Sequence, residues 1–587
     1  MITKNIKYKK WSRVLAIRLF SLLLISLLLI SFTSCADMLA PESDLVEFEE
    51  DNTLNHATDS VYSVMGVINK MQVIADRVVL LGEVRGDLVK TTDAATTDLK
   101  HLSAFEFDEA NRYNQVSDYY AVINNCNYYL AHIDTAMERR GRNLFMREYA
   151  VVKSYRAWAY LQLAQAYGEV PLILKPLMTE KDAREAMNQP RADIKTICDT
   201  FIDDLTPYVG VNLPHFADAV NGMDPDYFFI PMRVLLGDLC LWAGRYQEAA
   251  RWYHEYLTDK YAPVEMSNQR VMWRERETQF VTPDDRYTPT GDREVMTYIP
   301  MEPTVFSGNV SYLDDLFTST RDNNYFYELT SAPAMARISE DQIYCIEQEV
   351  AGSTNKDTLY APRTGFTRDQ LVGDLRYYSN FTLRSSGTQS EYSEYNTFNQ
   401  SISKISSSRI PLYRRTMIYL RYAEALNRAG FPQCAFAILK YGICDEILQN
   451  RVDSVEIKQA GDLVYFDPNV FKLNDTDGRV QIRGIHSLGS GDSHANAYYV
   501  LPQPETPLAT RQDTVNYQIP RVEDLIITEM ALEGAFEGYR FNDLMRVALR
   551  RNDPAYLADP VSLRNGTVDA DLRQKLMNPK NWYLPLR

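Results

Sequence analysis

The 587-residue sequence has few cysteines and histidines, and neither type is spaced for metal binding. Seven of each are present, without the CxxC or HExxH spacings that commonly hold zinc. The cysteines are mostly far apart, so no disulfide pairing can be deduced from them. The common zinc-site patterns are thereby excluded, and we expect neither a metal nor another cofactor.

Basic residues are also scarce. The 62 lysines and arginines are outnumbered by 78 acidic residues, and the formal net charge is −16. Six of the basic residues lie before position 19, in a segment that we expect to be removed. Because nucleic-acid affinity comes mostly from cationic contacts with phosphate, this charge balance argues against a nucleic-acid partner.

A hydrophobic run long enough for a membrane-spanning helix is missing as well. The longest apolar run, residues 19–32, has 14 residues, whereas a spanning helix needs about 20. Basic residues precede the run, and Thr33 and Ser34 stand before Cys35, as in an export signal. The stretch resembles a bacterial lipobox, so we expect residues 1–34 to be a lipoprotein signal peptide, Cys35 to be lipidated, and residues 35–55 to be an acidic tether. The alternative is an uncleaved signal anchor.

The strongest periodic patterns are helical. In residues 229–257, one apolar stripe is followed by Gly244 and then by a second stripe that contains Ala249 and Ala250. Apolar side chains at these offsets line one face of each helix, and the small alanines would let two helices pack closely. The pattern is typical of a tetratricopeptide-like hairpin. It recurs in residues 415–441, and residues 149–167 are apolar on two faces, as a sandwiched helix requires.

Two long stretches are polar and aperiodic, approximately 261–410 and 446–519. Loops of this length are uncommon in a compact domain unless they are functional. We therefore expect an elaborated surface mounted on the helical scaffold, and not a separate domain.

Four segments together resemble the SusD/RagB family of nutrient-binding lipoproteins. They are SYRAWAYLQLAQAYGEVPLIL (154–174), RTMIYLRYAEALNRAG (415–430), RVEDLIITEMALEGAFEGYRFNDLMRVALR (521–550) and WYLPLR (582–587). With the lipobox they span nearly the whole chain in the expected order. Met530 departs from the pattern, because the family usually has arginine there. We interpret Glu537, Arg540, Asp543 and Arg546 of the third segment as structural, spaced to pair along a helix.

The resemblance implies a mainly α fold, a tetratricopeptide-like helical-repeat solenoid with a loop-rich second layer. Residues 56–587 would form a single SusD-like domain, with the helical scaffold at about 56–260, 411–445 and 520–550. The loop-rich layer at 261–410 and 446–519 would face a ligand or partner.

The resemblance also implies a function. Such proteins are lipid-anchored on the outer membrane, bind oligosaccharides and deliver them to a SusC-like TonB-dependent barrel that they cover as a lid. They are not enzymes. Three alternatives stay open: a peptide-binding lid, a helical-repeat scaffold without a small ligand, and a glycosidase, whose two carboxylates no sequence pattern can exclude.

Two sets of residues are candidates for ligand binding. Glu83, Arg85 and Asp87, in EVRGDLVKTTD (83–93), follow the first helix, in a segment that lies near the ligand face in relatives; the alternative is a salt-bridged loop. Aromatic rings stack on sugar faces, so the second set lies in the irregular region: Trp273, Tyr312, Tyr325, Tyr327, Tyr377 and Tyr378. For each of these, packing or simple exposure in a loop is the alternative.

Overall fold

A computed structural model describes most of the chain from residue 57 onward. The described residues are 57–108, 110–215, 219, 223–259, 272–273, 280–281, 294–301, 309–318, 327–350, 353, 355–360, 373–379, 381–383, 400–402, 404–405, 408–473 and 482–586. They belong to one compact unit, Leu54–Arg587. The predicted signal peptide and the whole of the predicted tether, including Cys35, lie outside the described residues.

Helices dominate the described part of the chain. The first ten are α1 (Ala57–Glu83), α2 (Thr97–Ser103), α3 (Val116–His132), α4 (Met146–Tyr167), α5 (Glu180–Met187), α6 (Ile194–Leu205), α7 (Met232–Ala243), α8 (Tyr246–Asp259), α9 (Leu313–Phe317) and α10 (Pro333–Glu340). The next ten are α11 (Leu375–Ser379), α12 (Arg415–Arg428), α13 (Pro432–Lys440), α14 (Asp445–Arg451), α15 (Ser454–Ala460), α16 (Ser487–Ser490), α17 (Arg511–Gly534), α18 (Arg540–Arg551), α19 (Ala555–Ser562) and α20 (Ala570–Leu576). The predicted mainly α class is confirmed.

The helices stack as antiparallel pairs. Helices α3, α4, α6, α7, α8 and α12 each pack against the next, and α17 crosses α12 and α13. Gly244 ends α7 in the left-handed region at φ +79°, where glycine pays no steric cost. A Cβ on Gly237 would lie 2.4 Å from the ring of Tyr253, so this glycine permits the close approach of α7 and α8. The hairpin predicted for residues 229–257 is confirmed.

Strands are short and occur only as antiparallel pairs among the described residues. The seven pairs are β1 (Val89–Thr91) with β9 (Leu329–Ser331), β2 (Glu138–Arg139) with β3 (Arg142–Asn143), β4 (Val170–Pro171) with β5 (Arg191–Ala192), β6 (Met272–Trp273) with β7 (Phe280–Val281), β8 (Val295–Pro300) with β14 (Arg409–Arg414), β10 (Cys345–Glu349) with β11 (Lys356–Tyr360), and β12 (Phe381–Leu383) with β13 (Gln400–Ile402). The β1–β9 and β8–β14 pairs attach the segment after α8 to the first helices and to α12.

The stretch predicted to be irregular from residue 446 is partly helical. It contains all but the first residue of α14 and the short helices α15 and α16, and α17 already begins at Arg511. Helices of four to seven residues make at most two turns, too few to show an apolar stripe in the sequence. Among the described helices, none is long and apolar enough to cross a membrane.

Candidate functional site

The first candidate set lies in the interior. Glu83, Arg85 and Asp87 are each at most 1% exposed. The Glu83 carboxylate accepts the backbone N–H of Gly538 at 2.8 Å, and Asp87 accepts two hydrogen bonds from Arg540, at 2.6 and 2.9 Å.

Arg85 completes this joint between the end of α1 and the C-terminal segment. Its guanidinium donates to the carbonyls of Leu81 at 2.7 Å and Trp582 at 2.8 Å. The expectation that Glu83, Arg85 and Asp87 face a ligand is therefore corrected. Apart from the hydrogen bond between Arg85 and Leu81, their polar groups bind partners about 450 to 500 residues farther along the chain, and Asp87 forms a salt bridge as in the alternative interpretation.

Burial changes the ionisation of this joint. It raises the pKa of Glu83 to about 7, although the backbone N–H of Gly538 opposes the shift. Burial also lowers the pKa of Arg85 to about 10. Both shifts disfavour the charged form, as expected for groups removed from water.

The C-terminal block is structural, as the sequence indicated, but its pairs are mostly not within one helix. Arg546 does pair with Asp543 at 2.9 Å, three residues earlier on α18. It also binds Glu424 of α12 at 2.6 Å. Glu537 accepts hydrogen bonds from Arg414 and Lys404 at 2.7 and 2.8 Å. The block thus ties the C-terminal helices to α12 and to the segment before it.

The aromatic candidates separate into three groups. Tyr312 is 43% exposed and Tyr327 is half-buried, so both rings reach the surface. Tyr377 is 6% exposed and packs in the core, which corrects its assignment as a ligand contact. Tyr325 lies outside the described residues. Trp273 and Tyr378 lie in β6 and α11, and their side chains are not among the described atoms.

Tyr312 is held in place by a buried carboxylate of the first helix. Asp76 accepts the backbone N–H of Tyr312 at 2.8 Å and the hydroxyl of Ser311 at 2.7 Å. Burial raises the pKa of Asp76 to about 6, against the effect of these two hydrogen bonds. Burial and the nearby Asp76 raise the pKa of Tyr312 as well. The phenol is therefore a neutral hydroxyl that can donate and accept hydrogen bonds at ordinary pH.

Tyr327 is brought to the same region by strand pairing. β1 and β9 pair with Thr91 opposite Leu329, and the hydroxyl of Thr92 donates to the carbonyl of Tyr327 at 2.7 Å. Glu328 then accepts the backbone N–H of Thr96 at 2.7 Å. The loop after β1 is thus fixed against the segment that carries Tyr327.

A partly exposed arginine joins this region. Arg112 donates to the hydroxyl of Thr96 at 3.2 Å, and its charge acts on the phenol of Tyr312. We call Thr92, Thr96, Arg112, Tyr312 and Tyr327 the Tyr312 surface. It combines one exposed and one half-buried aromatic ring with hydroxyl and guanidinium groups, which suits the binding of a neutral ligand rich in hydroxyl groups.

A second aromatic cluster was not found from the sequence. The rings of Tyr227 and Tyr298 stack with centroids 6.1 Å apart, and the guanidinium of Arg409 lies 5.5 Å from the Tyr298 ring. Tyr227 and Arg409 are half-buried. No local pattern could have shown this cluster, because β8 and β14, which bring Tyr298 and Arg409 together, are more than 100 residues apart.

Gln72 connects the second cluster to the Tyr312 surface. It lies one helical turn before Asp76 on α1 and donates to the carbonyl of Pro300, at the end of β8, at 2.6 Å. Its side-chain oxygen accepts a hydrogen bond from Asn309 at 3.2 Å. One face of α1 therefore positions both aromatic groups.

A small cavity lies elsewhere, between α1, α4, α7, α12 and α18. Its volume is about 60 Å³, and its lining includes Trp158, Gln162, Trp242, Arg421 and Asn542. A water molecule needs at least about 10–15 Å³ measured in this way, so the cavity has room for a few waters only. It is too small for a sugar residue. Among the described residues, no group of three histidine, cysteine or acidic side chains is placed to hold a metal ion.

Comparison with known proteins identifies the fold. No protein-family model and no curated protein matches the sequence. Solved structures do match over 85–90% of the chain, and they show that it has a SusD-like helical-repeat fold. The sequence resemblance is thereby confirmed at the level of the fold.

Three of these structures come from Bacteroides. A SusD superfamily protein of Bacteroides vulgatus matches with a TM-score of 0.54 at 13% identity, covering 89% of this chain and 93% of its own. A SusD-like carbohydrate-binding protein of Bacteroides fragilis gives 0.51 at 14% identity, over 85% and 88%. A SusD superfamily protein of Bacteroides thetaiotaomicron gives 0.50 at 13% identity, over 90% and 99%.

Proposed function

We propose that this protein is a surface lipoprotein that binds oligosaccharides and delivers them to a SusC-like TonB-dependent outer-membrane barrel, which it covers as a lid. The observation that carries the ligand part is the Tyr312 surface on a SusD-like scaffold. The B. fragilis structure that shares the fold is a carbohydrate-binding protein, which supports the same class of ligand.

The chemistry of the surface supports a glycan. Tyr312 presents an exposed ring, which can stack on the C–H face of a sugar. Arg112 and the threonine hydroxyls beside it can bond sugar hydroxyl groups. The half-buried pair Tyr227 and Arg409 would extend this binding along α1. The role is binding without catalysis.

The anchor and partner complete the proposal. Lipidation at Cys35 would hold the protein on the outer membrane without a spanning helix, since two or three acyl chains give stable attachment. Delivery to a TonB-dependent barrel follows from the family resemblance of the sequence. A Cys35→Ala protein should no longer sediment with outer membranes, and sedimentation of that variant would overturn the anchor.

Titration of a glycan panel tests the ligand. A form lacking residues 1–35 keeps every described residue and should bind at least one oligosaccharide without cleaving it. Tyr312→Ala should weaken this binding, whereas Tyr465→Ala, which removes a 60% exposed ring elsewhere, should not. If neither substitution alters glycan binding, the Tyr312 surface is not the binding site. Product formed on long incubation would show an enzyme instead.

A peptide ligand is the second candidate. The net charge of −16 would favour basic peptides over neutral ones. Calorimetry with a peptide panel alongside the glycans separates the two, because a peptide-binding lid should bind lysine- or arginine-rich peptides and no sugar. Co-purification of an intact barrel with no binding to either panel would favour a scaffold without a small ligand.

A further inference from the structure

An arginine-rich hairpin projects from the scaffold between α3 and α4. It consists of β2, a two-residue turn and β3, residues 138–143, and we call it the arginine hairpin. The hairpin itself contains three arginines and one acid, the exposed Glu138, and a fourth arginine, Arg147, follows on α4 before the next acid, Glu148. The side chains of Arg139, Arg140 and Arg147 are exposed.

The turn of the hairpin holds an arginine in an unfavourable conformation. Arg140 and Gly141 have φ values of +54° and +69°, as in a type I′ turn, whose central positions favour asparagine, aspartate and glycine. Arginine has no such preference, so the positive φ of Arg140 is an unfavourable backbone conformation for this residue type. Residues held in unfavourable backbone conformations occur most often at functional sites.

The base of the hairpin is fixed. The side-chain oxygen of Asn143 accepts the backbone N–H groups of Phe145 at 3.0 Å and Met146 at 2.8 Å. Its amide nitrogen donates to the carbonyl of Thr135. The arginines are therefore presented by a defined support.

The hairpin lies at the end of the scaffold where α1 begins. Ala75, Val78 and Val79 of α1 face residues 158–165 of α4 across the small cavity, and Arg85 lies beside Tyr167. α1 therefore runs parallel to α4, and its first turn is at the same end as the start of α4, which follows the hairpin. Cys35 precedes the first residue of α1 by 22 positions.

We propose that the arginine hairpin binds the phosphate groups of an anionic membrane surface and so orients the anchored protein. The location rests on the proposed lipid anchor, because 22 residues span at most about 75 Å and so keep the arginine hairpin within reach of the bilayer. The guanidinium group bonds phosphate oxygens bidentately. A short cluster of arginines is attracted to anionic lipid, each residue strengthening binding about fivefold.

Vesicle sedimentation tests the proposal. The form lacking residues 1–35 should bind vesicles of phosphatidylcholine mixed with phosphatidylglycerol, should not bind pure phosphatidylcholine, and should be released by salt. Arg139→Glu with Arg140→Glu should weaken binding by about 30-fold or more. The matched control is Lys458→Glu with Arg521→Glu, two exposed residues on α15 and α17, which changes the net charge equally and should leave most of the binding.

A further variant separates binding from folding. Arg140→Gly should weaken vesicle binding about fivefold, while the thermal midpoint stays unchanged or rises, because glycine adopts positive φ without strain. A lowered midpoint together with unchanged binding would overturn the proposal. So would equal losses in the hairpin and control variants, or no binding of the unaltered protein to anionic vesicles.

Failure here is distinguishable from failure of the proposed function. The soluble form has no acyl chains, so its binding to vesicles does not depend on the lipid anchor. An unlipidated Cys35 would instead show as an unmodified mass of the exported protein. A third outcome would also overturn the membrane proposal. If the unaltered protein does not bind vesicles and the hairpin variant no longer associates with the barrel, the arginine hairpin contacts a protein and not the membrane.

Discussion

The buried carboxylate of Asp76 accepts the backbone N–H of Tyr312 at 2.8 Å, across 236 positions of sequence. This one hydrogen bond couples the first helix of the scaffold to an exposed aromatic residue of the segment after α8. Because Asp76 binds the backbone of residue 312, a substitution that removes the ring of Tyr312 leaves this hydrogen bond in place. Binding and stability can therefore be tested separately at this position.

Tyr312→Ala should reduce glycan affinity at least about fivefold, since an aromatic stacking contact contributes roughly 1 kcal/mol beyond its buried area. Stability should change little, because the ring is 43% exposed and the Asp76 anchor remains. Calorimetry and thermal unfolding of the same sample give both values. A collapse of stability would show that the ring is part of the core.

Asp76 should make stability fall as pH rises. Burial raises its pKa from 3.8 to about 6, so the folded state holds this proton more tightly than the unfolded state. Its contribution is fully present below about pH 4 and is lost as pH rises through about 6. The loss is about 3 kcal/mol.

Asp76→Asn removes that titration. Urea unfolding at pH 4 and pH 7 should show the unaltered protein losing about 2 kcal/mol relative to the variant. Comparing the two proteins at each pH cancels the contributions of other groups. A difference that does not depend on pH would contradict the raised pKa.

Glu424 should have the opposite effect at acid pH. Burial raises its pKa, but the guanidinium groups of Arg546 and Arg550 outweigh this and lower the pKa to about 2. Its contribution is present above about pH 4.5 and is lost as pH falls toward 2. The stability advantage of the unaltered protein over Glu424→Gln should shrink by about 2 kcal/mol between pH 5 and pH 3. Urea unfolding at the two pH values measures it.

Asp87→Ala should destabilise the protein without affecting ligand binding. The change leaves the guanidinium of Arg540 buried and without its carboxylate, which costs about 3–5 kcal/mol. Glu180→Ala is the control, because it breaks an exposed ion pair with Arg184 and should change stability little. If a folded Asp87→Ala protein lost its glycan affinity, Asp87 would have to be a ligand-binding residue after all.

The helical scaffold could be predicted from the sequence, because its signals are local. The two stripes around Gly244 lie within 30 residues, and the structure shows α7 and α8 there with the glycine between them. The sandwiched pattern of residues 149–167 likewise corresponds to α4, which is buried on nearly all sides. Helical periodicity is a property of neighbouring residues, so one segment shows it without the rest of the chain.

The candidate site could be predicted only in part. Tyr312 and Tyr327 were named because they lie in a polar, aperiodic stretch rich in tyrosine, and both reach the surface. Their anchors were not predictable, since Asp76 and Thr92 are more than 230 residues away. The same reason explains why Asp87 was wrongly predicted to face a ligand. Its partner, Arg540, lies 453 residues away, and no local pattern in the sequence indicates the pair.

The sequence by itself determined the helical class, the paired helices, the resemblance to SusD-like proteins and the strongly acidic character, all of which depend on residue types and short spacings. Only the tertiary structure decided which charges are buried and which are exposed. It paired Asp87 with Arg540, buried Tyr377, and left Tyr312 and the arginine hairpin on the surface. Burial and ion pairing are set by what the distant parts of the chain bring into contact, and that is where desolvation and Coulomb energies are decided.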